Sequence, residues 1–174
     1  LTAHFTDLEI GARFVYQRCH YAAVYRQMNN PLLEYFTAKA RNRNTDEAIP
    51  KDNVKRMIKL LRSGGTLWFA PDQQHQGGHS ALVNFFGKPA HSATVTSSLA
   101  KLGNAQVIPF FVARIGAQYQ IQILPPLQDF PSGDEVQDTE AYHALIEQQV
   151  NTVPEQYLWV HKRFKDAPGM HYPH

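Results

Sequence analysis

Apolar residues recur at helical spacing in several stretches of the chain. In the first of them, Leu8, Ala12 and Val15 fall on one face, and Thr6 or Asp7 just before them is suited to cap a helix. Later stretches follow other helix starters, such as Pro31. Helices are therefore predicted from Thr6 or Asp7, from Leu32 to Asn42, after Asp52 or Asn53, from Ser92 to Leu102, after Asp138 or Thr139, and near Pro154.

Shorter apolar runs, bounded by turn residues, predict strands between these helices. They run from Cys19 to Met28, from Thr66 to Ala70, from Gln106 to Ala113 and, after a hairpin at Gly116, from Gln118 to Leu124. Because strands and helices alternate over the first two thirds of the chain, we expect an α/β fold with a mixed, largely parallel sheet flanked by helices. Ligands of such sheets gather beyond the carboxyl ends of the strands, where Asp72 and Arg26 fall.

The composition is that of a globular protein. The chain has 174 residues, of which 43% are hydrophobic and 18% charged, enough for one domain spanning residues 1–174. A net charge of +2 gives no reason to expect nucleic acid as a partner. A single cysteine excludes an internal disulfide framework, and no apolar run reaches the roughly 18 residues of a membrane span.

The charges are unevenly distributed along the chain. Between Lys39 and Arg62 there are eight Lys or Arg and three acids, whereas between Gln128 and Gln156 there are seven acids and no Lys or Arg. The basic stretch is suited to contact anionic lipid headgroups or phosphates. The alternative is an ordinary solvated helix face.

A histidine near the start of the chain is the first candidate for chemistry. His4 precedes the first predicted helix, and Glu9 lies five positions on, in its first turn. Two residues five apart inside a helix point about 140° apart, but a loop histidine can fold back onto the first turn. A free imidazole has a pKa near 6.5 and suits a general base. The spacing alone fits equally a loop histidine and a glutamate favoured by the helix dipole.

A metal site is an alternative from another class of protein. His75, His79 and His91 with Asp72 contain the right ligand types. Gly77 and Gly78 between the first two histidines argue against a helical ligand pair, so we expect no metal. There is also no Gly-rich phosphate loop and no Gly-x-Ser-x-Gly elbow.

Several further phrases follow His4 and Glu9 in a fixed order. They are Val24-Tyr25-Arg26, Arg41-Asn42-Arg43, Pro71-Asp72-Gln73, Asn84-Phe85-Phe86-Gly87, Val107-Ile108-Pro109 and the run from Glu155 to Lys165. Together with the opening pair, this series resembles the late acyltransferases of lipid A biosynthesis, within the glycerophosphate and lysophospholipid acyltransferase superfamily. The resemblance extends over essentially the whole chain, and it implies a glycerolipid-acyltransferase-like fold.

The resemblance also implies roles for particular residues. His4 would be the general base, Glu9 its orienting carboxylate, and Arg41 a contact to phosphate or carbonyl oxygens, with Arg26 and then Arg43 as second choices. Asp72 replaces the Glu-Gly-Thr-Arg phrase of glycerolipid acyltransferases and would bind an acceptor hydroxyl or orient Arg41.

The activity implied is O-acyl transfer from an acyl-acyl carrier protein to a hydroxyl of a lipid A precursor, without metal or organic cofactor. It would take place on inner-membrane lipids, at the cytoplasmic face of the inner membrane of a Gram-negative cell. The resemblance further implies that the chain is the C-terminal portion of a longer protein with an N-terminal membrane anchor. Two alternatives stay open: an acyltransferase for another lipid acceptor, such as a lysophospholipid or glycolipid, and a non-catalytic lipid-binding module of the same fold.

Overall fold

The computed structural model describes residues 1–165, 167, 169, 170 and 172. Five α-helices lie in this part of the chain: α1 (Leu8–Tyr16), α2 (Pro31–Arg41), α3 (Val54–Arg62), α4 (Val95–Gly103) and α5 (Glu135–Thr152). Seven strands accompany them: β1 (Ala22–Tyr25), β2 (Glu47–Pro50), β3 (Leu67–Trp68), β4 (Ser80–Phe85), β5 (Lys88–Ala93), β6 (Phe110–Ile115) and β7 (Gln118–Ile123). A 3-10 turn, Pro154–Gln156, follows α5.

The strands form one parallel sheet and two antiparallel hairpins. The parallel sheet has the order β2-β1-β3, with Ala22 opposite Glu47 on one side and Leu67 on the other. The pairs β4-β5 and β6-β7 are antiparallel. The α/β class is confirmed, but the expected parallel order holds only for the three-stranded sheet. The hairpins differ because two-residue turns at Phe86-Gly87 and Gly116-Ala117 return each strand directly beside the previous one.

The first residues of the chain connect the parallel sheet to the β6-β7 hairpin. The backbone N–H of Thr2 donates to the carbonyl of Phe69 at 3.0 Å, and the N–H of Phe110 donates to the carbonyl of Leu1 at 2.8 Å. Residues 1–5 therefore run between the extension of β3 and the start of β6. This placement brings residue 4 to the carboxyl edge of the parallel sheet.

Helices cover both faces of the parallel sheet. On one face, Ala22 packs with Ile49, with Met57 of α3 and with Leu99 of α4. On the other, Ala12 of α1 packs against Tyr21 and Ala23. Because successive side chains of a strand point to opposite faces, residues 21 to 23 serve both layers.

A second core lies between α5 and the hairpins. Tyr142, Ile146 and Val150 of α5 are buried against Phe85 of β4 and Phe111 of β6, together with residues 3 and 5 of the first segment. None of the described helices is long and apolar enough to cross a lipid bilayer.

The observed elements differ from the expected ones at several places. Strand β2 and the β4-β5 hairpin fall where no strand was predicted, because Pro50, Pro89 and many polar residues weaken the strand pattern, and the end of β5 occupies the expected start of the helix at Ser92. Strand β1 is shorter than predicted, and Cys19 lies before it, exposed, rather than within it. Helix α5 begins earlier, at a cap in which the Asp134 carboxylate accepts from the N–H groups of Val136 and Gln137. The last predicted helix is a single 3-10 turn.

Candidate active site

The backbone of His4 is held from both sides. Its N–H donates to Oδ2 of Asp72 at 3.0 Å, and its carbonyl accepts from the N–H of Leu158 at 3.0 Å. The next residue, Phe5, forms an antiparallel bridge with Tyr157. The position of His4 is therefore fixed by two segments that are distant in sequence, one after β3 and one after α5.

The imidazole of His4 is paired with the carboxylate of Asp72. Nδ1 lies 2.6 Å from Oδ1, the Asp72 side chain is buried, and His4 is partly exposed. An ionised carboxylate can only accept hydrogen bonds, so Nδ1 of His4 carries the proton in this pair. The lone pair of the neutral ring is then on Nε2, the nitrogen that a general base uses.

Tyr157 completes the surroundings of the carboxylate. Its hydroxyl donates to Oδ2 of Asp72 at 3.0 Å, within a core in which its ring packs against Phe5. Burial alone would raise the pKa of Asp72, but the hydrogen bonds from His4 and Tyr157 and the attraction to His4 outweigh it and lower the pKa. Burial, with the nearby Asp72 charge, raises the pKa of the Tyr157 hydroxyl, so this group stays a neutral donor.

Two further residues of the same C-terminal segment lie beside the site. His161 accepts at Nε2 from the N–H of Gln74 at 2.8 Å, and burial lowers its pKa. Arg163 is buried, donates to the carbonyl of His91 at 2.7 Å and to Oγ of Ser92 at 2.6 Å, and lies over the ring of Phe85. These bonds attach the segment to the strand that follows the Phe86-Gly87 turn.

The carboxylate that contacts His4 is Asp72, not Glu9. Glu9 lies in the first turn of α1, is exposed, and makes no hydrogen bond to His4 within the described part of the chain. Glu9 lies on the exposed side of the first turn of α1, whereas Leu8 beside it is buried. A role for Glu9 stays a prediction. The contact of Asp72 with His4 was not expected, and its expected contact with Arg41 or an acceptor hydroxyl also stays a prediction.

The three candidate arginines lie outside this hydrogen-bond network. Arg26 follows β1 and Arg43 follows α2, and both are exposed. Arg41 is partly buried at the end of α2, with its guanidinium 5.0 Å from the centre of the Tyr25 ring. Its Nη1 is buried and has no hydrogen-bond partner within the described residues. Their predicted contacts to substrate phosphates stay predictions.

The histidines of the alternative metal site do not converge. The backbone of His75 bonds to that of His91, but both oxygens of Asp72 face His4 and Tyr157. Across the residues described by the structure, no group of three His, Cys, Asp or Glu side chains is arranged to hold a metal ion.

Sequence reasoning did not assign a role to Tyr157, His161 or Arg163. All three lie in the run from Glu155 to Lys165, which was used only as a mark of resemblance. Their roles depend on contacts with residues more than seventy positions away, so no local sequence pattern predicts these roles. The aromatic and cationic density of that run was the one available signal.

A histidine held by a buried carboxylate at the edge of an α/β sheet, whose second nitrogen has no hydrogen-bond partner among the described residues, has the geometry of a general-base site. Comparison with known proteins specifies the class further. The family described as bacterial lipid A biosynthesis acyltransferase matches residues 1–166. The chain belongs to this family.

Characterised relatives agree with this assignment. The chain is 34% identical over 169 residues to a lipid A biosynthesis lauroyltransferase of Escherichia coli (strain K12), covering 95% of this chain and 55% of that protein. It is 32% identical over 168 residues to a palmitoleoyltransferase of the same pathway and strain, with the same coverage. A myristoyltransferase is 30% identical over 152 residues, covering 85% of this chain and 47% of the relative. The chain thus spans about half the length of these relatives.

Proposed function

We propose that this chain is the catalytic part of an O-acyltransferase of lipid A biosynthesis. The reaction moves a fatty acyl group from an acyl-acyl carrier protein to a hydroxyl of a lipid A precursor. The observation that carries the proposal is the His4–Asp72 pair, in which Nδ1 of His4 faces the buried carboxylate and the His4 side chain is partly exposed, so that Nε2 is the nitrogen placed to act as the base. The names of the relatives, which are acyltransferases of lipid A biosynthesis, support the choice of acceptor.

In the proposed mechanism, Nε2 of His4 takes the proton of the acceptor hydroxyl. The hydroxyl oxygen attacks the thioester carbonyl of the donor, and a tetrahedral intermediate forms. When the carbon–sulfur bond breaks, the imidazolium of His4 returns the proton to the leaving thiolate. The products are the new ester and the free thiol of the carrier protein.

Asp72 and Tyr157 are positioning residues in this mechanism. Asp72 holds the His4 ring in the tautomer that a base requires and stabilises the imidazolium that forms during transfer. Tyr157 and the His4 backbone N–H both donate to Oδ2, and so fix the direction of Oδ1. Glu9, exposed near His4 in sequence, would act on the charge of the ring only at longer range.

The acceptor carries phosphates, which arginine binds well through its rigid fork of donors. Arg41 is our first candidate for this contact, followed by Arg26 and Arg43. Support for Arg41 comes from its unpaired Nη1 and from its place on the helix that follows β1. The reaction would take place at the cytoplasmic face of the inner membrane, with inner-membrane lipids in contact with the protein.

The test compares two histidines that are each paired with an aspartate. His4→Ala, made in the protein that contains this chain, should lower acyl transfer by about 10²- to 10⁴-fold, the usual contribution of general base catalysis. The matched control is His20→Ala, because Nδ1 of His20 lies 2.8 Å from Asp46 on the surface. Lipid A species are measured by mass spectrometry, and binding of the acceptor is measured separately.

Near-normal transfer by His4→Ala would refute the mechanism, and so would an equal loss in His20→Ala. Normal product with a lysophospholipid and none with a lipid A precursor would favour the alternative acceptor. Acceptor binding without any turnover in the unmodified protein would identify a non-catalytic lipid-binding module.

A further inference from the structure

Helix α2 (Pro31–Arg41) exposes an unusual amount of apolar surface. It contains no buried residue, and between 50% and 65% of each of its four large apolar side chains is exposed; these are Leu32, Leu33, Tyr35 and Phe36. Met28, in the loop before the helix, is exposed as well. Exposed apolar side chains that are concentrated on one short helix indicate a surface that contacts a lipid bilayer or another molecule.

The same helix also carries exposed positive charge. Leu32, Phe36, Lys39 and Arg43 are three or four positions apart, so they follow one face of the helix and its continuation. The apolar members lie at the start of this stripe and the cationic members at its end. The one acid of the helix, Glu34, accepts from the N–H of Met28 at 2.8 Å and lines the same surface hollow as Lys39 and Arg43. The stripe itself is apolar and basic, and the carboxylate beside it is already hydrogen-bonded to the backbone.

Many of the other basic residues between positions 39 and 62 are already engaged. Arg56 is paired with Glu47, Arg62 donates to the carbonyl of Leu102, and Nζ of Lys51 lies 4.0 Å from Oδ1 of Asp52. Nζ of Lys39 lies 5.8 Å from the centre of the Tyr35 ring, and Arg43 is exposed, so both charges lie beside the apolar groups of the helix. Of the basic residues between positions 39 and 62, Lys39 on α2 and Arg43 just after it are therefore best placed to contact lipid phosphates together with apolar groups.

The position of α2 links this surface to the candidate site. Strands β1 and β3 are parallel, so their carboxyl ends lie at the same edge of the sheet. Helix α2 follows β1 from that edge, and Asp72 follows β3 at the same edge. A bilayer in contact with the start of α2 would lie on the side of the protein where a lipid acceptor reaches His4.

We propose that the stripe formed by Leu32, Phe36, Lys39 and Arg43 docks the protein on the surface of a bilayer that contains anionic phospholipid. The apolar side chains enter the headgroup region at the start of the helix, and the two cations meet lipid phosphates at its end. The proposal rests on the proposed function only in that the acceptor is a lipid. Docking itself needs neither donor nor acceptor.

The test measures sedimentation of the 174-residue chain with vesicles, without substrates. Vesicles of phosphatidylcholine alone are compared with vesicles that mix phosphatidylcholine and phosphatidylglycerol, at low and high salt. We expect binding to the mixed vesicles that falls as salt rises, because salt shortens the screening length. Failure of acyl transfer would leave this result unchanged, so the two proposals fail separately.

Two double variants and their matched controls locate the surface. Leu32→Gln with Phe36→Gln should weaken binding by about tenfold or more, since both apolar groups are lost. The control, Leu82→Gln with Ile123→Gln, removes two equally exposed apolar groups elsewhere and should change binding by less than about twofold. Lys39→Gln with Arg43→Gln should weaken binding about fivefold for each charge, unlike Lys88→Gln with Lys101→Gln.

Several results would overturn the proposal. They are an absence of vesicle binding, equal and salt-independent binding to both kinds of vesicle, and unchanged binding by the Leu32→Gln and Phe36→Gln pair. Light scattering provides one more. A dimer that this pair dissociates, without vesicle binding, would show that a second copy of the chain covers the helix instead.

Discussion

Two clusters in this molecule have the same composition and nearly the same hydrogen bonds, but opposite surroundings. The buried cluster consists of His4, Asp72 and Tyr157, and the exposed cluster consists of His20, Asp46 and Tyr16. In each, a histidine Nδ1 and a tyrosine hydroxyl bond to one aspartate. Only 1% of the Asp72 side chain is exposed, however, against 49% of the Asp46 side chain.

The difference shows that the residue types alone do not make a site. Water competes for the exposed pair and screens its charges, so such pairs contribute little. The buried pair interacts in a medium of lower dielectric constant, where an unpaired charge is costly and geometry is held firmly. Asp72 also receives a third bond, from the backbone of His4, and its partners come from both ends of the chain.

The strongest test of this comparison replaces each aspartate with asparagine. Asp72→Asn should lower kcat by about 10²- to 10⁴-fold, because an amide can donate to Nδ1 and so favour the wrong tautomer of His4. Asp46→Asn should leave kcat unchanged. Acyl transfer is measured for both variants, with circular dichroism to confirm folding. Equal activity of the two folded variants would remove the distinction between the clusters.

A buried histidine outside both clusters provides a reference for the effect of burial. Burial lowers the pKa of His143 from 6.5 to about 4. Since the unfolded chain takes up this proton at higher pH than the folded chain, the free energy of unfolding should fall by about 3 kcal/mol between pH 6.5 and 4. Urea unfolding across this range checks the slope, which His143→Leu should flatten.

The contribution of Asp72 to stability lies in a separate pH range. Its pKa is lowered in the folded state, so this contribution is present above the ordinary value of 3.8 and is lost only as pH falls through the lowered pKa. A slope that survives in His143→Leu above pH 4 would assign the acid sensitivity to another group.

Removing the tyrosine hydroxyl from each cluster compares the buried and the exposed cluster through a smaller expected change in kcat. Tyr157→Phe deletes one donor to Asp72 and should lower kcat about tenfold, with little change in KM, as the loss of one hydrogen bond to a charged group would. The pKa of Asp72 should rise, because its carboxylate loses one hydrogen-bond donor. Tyr16→Phe should do neither, so an equal effect of both variants would contradict the proposed role of Tyr157.

The smallest effect is expected from Glu9→Gln. An exposed carboxylate that makes no hydrogen bond to His4 attracts the imidazolium only through water, where even two charges about 4 Å apart interact by about 1 kcal/mol, so the loss in kcat should be at most about fivefold. Steady-state transfer rates of Glu9→Gln and Asp72→Asn measure the two carboxylates side by side. A loss in Glu9→Gln as large as that in Asp72→Asn would return the orienting role to Glu9.

The sequence predicted those elements whose signals are local. Apolar spacing marks helices α1, α2 and α3, of which α2 and α3 also have side-chain caps, and Gly116 marks the β6-β7 hairpin. Strand β2 escaped prediction because its four residues gain strand conformation only from pairing with β1, more than twenty positions earlier.

The same limit applies to the candidate active site, where residues were predicted from local motifs but contacts between distant residues were not. His4 and Asp72 were both identified as candidates from motifs, but their contact was not predicted, because it joins residues 68 positions apart. Glu9 was assigned as the partner from the family resemblance, and the spacing from His4 was compatible with it. The direction in which α1 leaves residue 5 depends on packing, such as the close approach of Gly11 to Val112, where a larger residue would clash.

The placement of residues 1–5 between β3 and β6 bears on the order in which the site is built. His4 is synthesised before every residue that fixes it, first Asp72 and then the segment around Tyr157 and Leu158. The hydrogen-bond network is complete only after nearly all of these residues have been synthesised and packed. The proposed base can therefore be oriented only after this part of the chain has folded. A chain that stops before residue 157 contains His4 but lacks Tyr157, and so lacks part of the hydrogen-bond network that orients the imidazole.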